Sequence, residues 1–216
     1  AAFGNLRLVS MVHSLGKHFA ADAASVDKER LPLACSLQQC RLADKAAHSY
    51  LRIVQRYLQK IFGNVLAIQC FNRMLQITGI DLSAPYLEEA RRLIGRTARV
   101  KLDEAAAEVL PFDDASLDLV VSSFLLHELP KKVRADVLAE MARVVKPGGL
   151  VVIVDSIQRG DKPDWDGLLD LFPYYFHEPY YADYVGGSVE GWCEAAGLRP
   201  VSRERAFLSK VAAFTK

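Results

Sequence analysis

Residues 77–92, ITGIDLSAPYLEEARR, place a short β-branched run that ends in an acid directly before a helical pattern. Two later stretches repeat the alternation, EVLPFDDASLDLVVSSFLLHELP over 108–130 and EMARVVKPGGLVVIVD over 140–155. Strands and helices in this rhythm predict a mostly parallel sheet with flanking crossover helices. Sheets of that kind collect their ligands at the carboxyl ends of the strands.

Working outward, Ile77–Ile80 reads as a strand ending at Asp81. Ser83 can cap the following helix, Pro85 to Ile94, where Leu87, Ala90, Arg91 and Ile94 recur at helical spacing and Gly95 closes the element. Ala98–Leu102 reads as another strand, and Leu117–Ser122 as a third whose unbroken LVV run implies burial on both faces. A helix over Lys132–Val145 gathers Val133, Val137, Met141 and Val144 on one face, with Lys131, Lys132 and Arg134 read as its solvated start. Pro147 stops it, Gly148-Gly149 turn the chain, and Leu150–Asp155 is the next strand.

Residues 160–187 break the rhythm, because LFPYYFHEPYYADY mixes aromatics and prolines without a clean period. Gly187–Gly197 then reads as a last helix, and Pro200–Glu204 with Leu208–Thr215 as a hairpin that adds an antiparallel edge. Upstream, residues 1–45 are poorly patterned around a break at Pro32, while Ala47, Tyr50, Leu51, Val54, Leu58 and Ile61 share one helical face before Gly63-Asn64. The expected organisation is an N-terminal helical segment over 1–63 and an α/β domain over 64–216, with an aromatic cap at 160–187.

The 216 residues, 51% hydrophobic and 25% charged, suffice for one well-buried domain with a small cap. A net charge of +1 supplies no electrostatic reason for a nucleic-acid or anionic-membrane partner. No apolar run reaches the length of a membrane span. Cys35, Cys40, Cys70 and Cys193 lack the paired spacing of a zinc site, so no metal is expected and buried thiols in a reducing, cytoplasmic setting are the better reading. The chain starts at Ala1 rather than Met, as a processed protein or a fragment would. Residues 1–21 hold Arg7, His13, Lys17 and His18 but no acid, like the tail of a plastid or mitochondrial transit peptide or, alternatively, an amphipathic helix on the domain.

An acid at a strand end with a helix beyond it is well placed to grip both hydroxyls of a ribose, and Asp81 fits that description as well as it fits a simple helix cap. GIDLSAPYLEEARR, AEVLPFDDASLDLVVSSFLLHELP and LAEMARVVKPGGLVVIVD together resemble the class I S-adenosylmethionine-dependent methyltransferases, in the branch that includes the quinone-biosynthesis C-methyltransferases. The resemblance covers roughly residues 77–155. It implies a Rossmann-like sheet, S-adenosylmethionine as cofactor and a small-molecule acceptor. By it, Asp81 would bind the ribose and Leu82 would lie against the adenine. Ala106 and Ala107 would occupy the adenine-amino position, where the family has an acid, with Asp103 as either its replacement or a surface acid. Ser123 and Phe124 would line the methionine end, with Val154 and Asp155 beside the substrate opening.

The family's glycine-rich loop has no counterpart in VLAIQCFNR, where Ala67, Gln69, Phe71 and Arg73 stand at the acid and glycine positions. Only residues 69–76 separate Ile68 from Ile77, short of the ten to twelve or so that a parallel crossover needs. The first strand and helix are therefore either truncated, as in a spliced-out gene segment, or residues 65–75 are helical and run directly into the Ile77 strand. The second reading is preferred.

Methyl transfer from a sulfonium is an in-line displacement that needs alignment, and a base where the acceptor carries a proton. His127 and His177 are the candidate bases, each with a structural role as the alternative. Phe176, Tyr180, Tyr181 and Tyr184, with Phe172, form either a cap over a flat, greasy substrate or an ordinary secondary core. The expected function is methyl transfer to a small apolar or aromatic molecule. The alternatives are a catalytically inactive, methyltransferase-like interaction or regulatory module and, more remotely, a nicotinamide-dependent dehydrogenase.

Overall fold

Seven strands form one sheet: β1 (Leu6–Val12), β2 (Leu75–Asp81), β3 (Val100–Glu104), β4 (Leu117–Ser123), β5 (Val145–Ser156), β6 (Arg199–Ala206) and β7 (Ser209–Thr215). They lie in the order β3-β2-β1-β4-β5-β7-β6. Every pair from β3 to β5 is parallel, while β7 runs antiparallel to both β5 and β6. The mostly parallel sheet and its C-terminal antiparallel hairpin agree with the sequence. This computed structural model describes residues 6–12, 75–94, 100–175 and 178–216.

The N-terminal expectation is overturned at Leu6–Val12, which is a strand and not part of a helical segment. It occupies the centre of the five parallel strands, pairing Leu8 with Ile77 on one side and with Leu119 on the other. The sheet therefore has the central strand that the sequence reading took to be missing. Its run LRLVSMV is apolar but short, and β2 and β4, which complete its hydrogen-bond ladder, come from far along the chain. The connection from β1 to β2 runs through residues 13–74, which lie outside the described residues, as do the helix read over 44–61 and the segment 65–74. Leu75, read as helical, begins β2.

The helices that position the site are α1 (Ala84–Ile94), α2 (Lys131–Val144), α3 (Asp166–Tyr175), α4 (Tyr181–Val185) and α5 (Val189–Ala195). In α2, Val137, Leu138, Met141 and Val144 are buried and share one core with Val120 of β4 and Val151 and Ile153 of β5. Burying each such side chain contributes roughly 1.5–3 kcal/mol. The chain passes from α2 into β5 without a gap, so Pro147 and the two glycines lie within the strand at a register shift opposite Leu117–Leu119. Gly148 has φ 75°, and a Cβ on Gly149 would come within 3.0 Å of the Asp118 carbonyl oxygen.

The aromatic segment is more regular than its sequence suggests, since it folds into α3 and α4 with Tyr181 and Tyr184 buried in the main core. The hairpin is fastened to the loop after β5 by a buried Lys210. Its ammonium donates to Gln158 Oε1 at 2.7 Å and pairs with Asp161 at 3.1 Å and Glu190 at 3.3 Å. No helix among the described residues is long and apolar enough to cross a membrane.

Candidate functional site

The strand order reverses at β1, with β2 and β3 to one side and β4 and β5 to the other. Crevices for ligands form outside the carboxyl ends of strands at such a switch point. The ends that converge there are Val12 of β1, Asp81 of β2, Ser123 of β4 and the Asp155-Ser156 end of β5.

Asp81 is 8% exposed, and its Oδ1 accepts the Ser83 amide at 2.7 Å, a turn that starts α1. The capping function considered from sequence is thus real, and it engages one carboxylate oxygen. The Asp81 carbonyl oxygen accepts the Ala105 amide at 3.2 Å, which brings the turn holding Ala106 and Ala107 to the end of β2. Leu82, 62% exposed, stands next to the acid. A carboxylate, an exposed apolar side chain and a turn of small residues fit the sugar and base of a nucleoside cofactor.

At the end of β4, Ser123 is buried, and Phe124 adopts φ 51° while its amide donates to the Val154 carbonyl at 2.8 Å. A left-handed conformation is uncommon for a bulky residue, and such strain clusters at functional sites. Ser122 Oγ, two residues before Phe124, is buried without a hydrogen-bond partner, which is rare.

A 3-10 turn over Leu126–Glu128 follows. Its His127 donates from Nδ1 to Asp155 Oδ1 at 2.5 Å, while Nε2 faces Glu178 Oε1 at 4.0 Å. Asp155 also accepts the Leu126 amide at 2.9 Å and the Ser156 amide at 2.7 Å. Burial pushes the imidazole down, but the charge and hydrogen bond of Asp155 outweigh it, and with Glu178 and Glu128 added they raise His127 to about 9. An imidazole so held is mostly protonated at neutral pH and suited to donating. The rings of Phe124, Tyr181 and Tyr184 stand edge-on to it, with centroids 5.9–6.4 Å away.

Of the expected cap, Tyr180 is 39% exposed and open to a ligand. Tyr181 and Tyr184 are buried. Tyr181 stacks on Phe172 at 4.4 Å and shares a 2.7 Å hydrogen bond with Ser156 Oγ, and Tyr184 donates to the Ser156 carbonyl at 2.8 Å. Phe176 and His177 lie outside the described residues. Arg134 is buried and not solvated. It donates to the carbonyls of Leu126 at 2.9 Å and Leu129 at 3.0 Å and to Asp183 at 2.8 Å, with the Trp192 ring 4.5 Å beneath it. Sequence reasoning missed Glu178, which is 6% exposed; an acid amid FHEPYY was the available signal. It also treated His127 and Asp155 separately, although the two form one pair.

Residues 62–153 match the family described as Methyltransferase domain. Over 83 residues the chain is 40% identical to the demethylmenaquinone methyltransferase of Staphylococcus epidermidis, an alignment covering 38% of this chain and 34% of that one. The chain thus spans about a third of the length of this curated relative. Among solved structures, one chain of the complex between the Haloferax volcanii Trm112 methyltransferase activator and a methyltransferase superposes with a TM-score of 0.56 at 14% identity, over 98% of this chain and 83% of that one. A SAM-dependent methyltransferase from Aquifex aeolicus gives 0.50 at 18% identity, over 98% and 82%. At these identities the two structures bear on the fold alone.

Proposed function

We propose that this chain, whose residues 62–153 match a methyltransferase domain, transfers a methyl group from S-adenosylmethionine to a small apolar or aromatic acceptor. The observation that carries the reading is Asp81, a carboxylate at the end of β2 beside the switch point of the sheet. In this reading Asp81 holds the ribose hydroxyls, Leu82 and the Ala106-Ala107 turn flank the adenine, and Ser123 and Phe124 border the methionine end.

When bound, the cofactor supplies an electrophilic methyl on a sulfonium with a good leaving group. The protein's part is alignment. The Asp155–His127 pair fixes the turn after β4 through the Leu126 amide, and with it the backbone at Phe124. His127 acts here as a positioning residue, not as the base first considered. The name of the Staphylococcus epidermidis relative points to a quinone-type ring as acceptor, and Tyr180 is an exposed aromatic able to lie against one. The methyltransferase matches do not favour the inactive-module alternative.

The test is transfer of labelled methyl from S-adenosylmethionine to a reduced naphthoquinone lacking its ring methyl. The full chain should produce labelled quinone, and Asp81→Ala should not. Failure to label that acceptor or simpler hydroquinones, with no S-adenosylhomocysteine formed above the Asp81→Ala background, would refute the activity.

A further inference from the structure

We infer that His127 Nε2, Glu128 and Glu178 form a binding site for one divalent transition-metal ion, oriented by Asp155. One ligand atom from each of the three residues lies within 4.8 Å of the others. The donors come from two separate parts of the chain, the 3-10 turn after β4 and the loop before α4.

At 4.0 Å, Nε2 and Glu178 Oε1 are too far apart for a hydrogen bond. Two ligand bonds of about 2.0–2.2 Å each span about that gap at a wide angle. The three donors, which lie within 4.8 Å of one another, would draw closer around an ion held by bonds of that length.

The support behind the imidazole is of the kind that metal ligands carry. A ligating histidine normally gives its second ring N–H to a carboxylate, which fixes the tautomer and aims the other nitrogen at the metal. His127 does so, with Nδ1 on Asp155 at 2.5 Å, and Asp155 is itself anchored by the Leu126 and Ser156 amides. Asp155 is buried in the strand end, so the imidazole has a rigid backing. The surrounding aromatic rings limit its rotation.

Glu178 and His127 are both buried, so an ion held between them would be largely shielded from water. One imidazole with two carboxylates suits Mn²⁺, Fe²⁺, Co²⁺ or Zn²⁺ better than the all-oxygen preference of Mg²⁺ or Ca²⁺. Binding takes the lone pair of neutral Nε2, so uptake of the ion releases any proton carried there to solvent.

The site does not depend on the cofactor reading, and its test uses no S-adenosylmethionine. Chelator-treated, full-length protein is titrated with Co²⁺, followed by its visible ligand-field absorption, and with Zn²⁺ by calorimetry. One equivalent of each should bind saturably. Glu178→Gln and Glu128→Gln should each weaken binding at least about tenfold, and Asp155→Asn about 10–100-fold. Glu128 is only half-buried, so its variant keeps the test valid should a change at Asp155 or Glu178 compromise folding, which circular dichroism would reveal. Absence of saturable uptake, or wild-type affinity retained in folded Glu128→Gln and Glu178→Gln, would overturn the assignment.

Discussion

Phe124 bears a backbone strain that its side chain does not require. Its φ of 51° lies where only glycine is comfortable, and the Val154 carbonyl holds its amide in place. Comparing Phe124→Gly with Phe124→Ala isolates that strain, because both remove the ring. The glycine variant should be the more stable by about 1 kcal/mol in urea unfolding, and equal stabilities would show that the turn is relaxed. At this scale the sequence was partly legible. Asp81 stood out because an acid ended a β-branched run, and His127 because it followed the next such run. Their partners did not stand out. Asp155 meets His127 only because β4 and β5 pair in a register that sets Ser123 beside Val154, and nothing local encodes that. Arg134 misled for a related reason: a charge at the start of a helix reads as solvated unless the elements folding over it are known.

The helices and strands with strong local periodicity, α1, β4, α2 and β5, were legible to within a few residues. β1 was not, because its neighbours in the sheet, not its own pattern, make it a strand. The aromatic stretch was opaque since its buried tyrosines serve a core shared with α2 and the sheet. Arg134 is where these elements join, linking α2 to the turn after β4 and, through Asp183, to α4. Arg134→Ala leaves two carbonyls without their guanidinium donor and should cost about 2–3 kcal/mol by denaturant unfolding. Arg134→Lys should recover less than half of the loss, since one ammonium cannot serve three acceptors in the guanidinium's planar geometry. A loss under about 0.5 kcal/mol for Arg134→Ala would show that α2 and α4 dock without it.

For the molecule as a whole, the strand order locates a site before any side chain is considered. With β1 between β2 and β4, the carboxyl ends of these strands lie together at the switch point, where such sheets form their ligand crevices, and β4 and β5 carry the His127–Asp155 pair at their own ends. The resemblance read from residues 77–155 identified the right half of this arrangement. In the proposed function, cofactor binding turns on a single carboxylate, Asp81. Asp81→Asn is the sharpest probe, because an amide oxygen can still accept the Ser83 N–H that starts α1, so the fold is kept while the charge is lost. Calorimetric titration of S-adenosylmethionine into the wild-type chain and this variant should show one site in the former and an affinity weakened at least about tenfold in the latter, as expected when a charge-assisted bond is lost. No detectable binding to the wild-type chain, or equal affinity in the two proteins, would contradict the account.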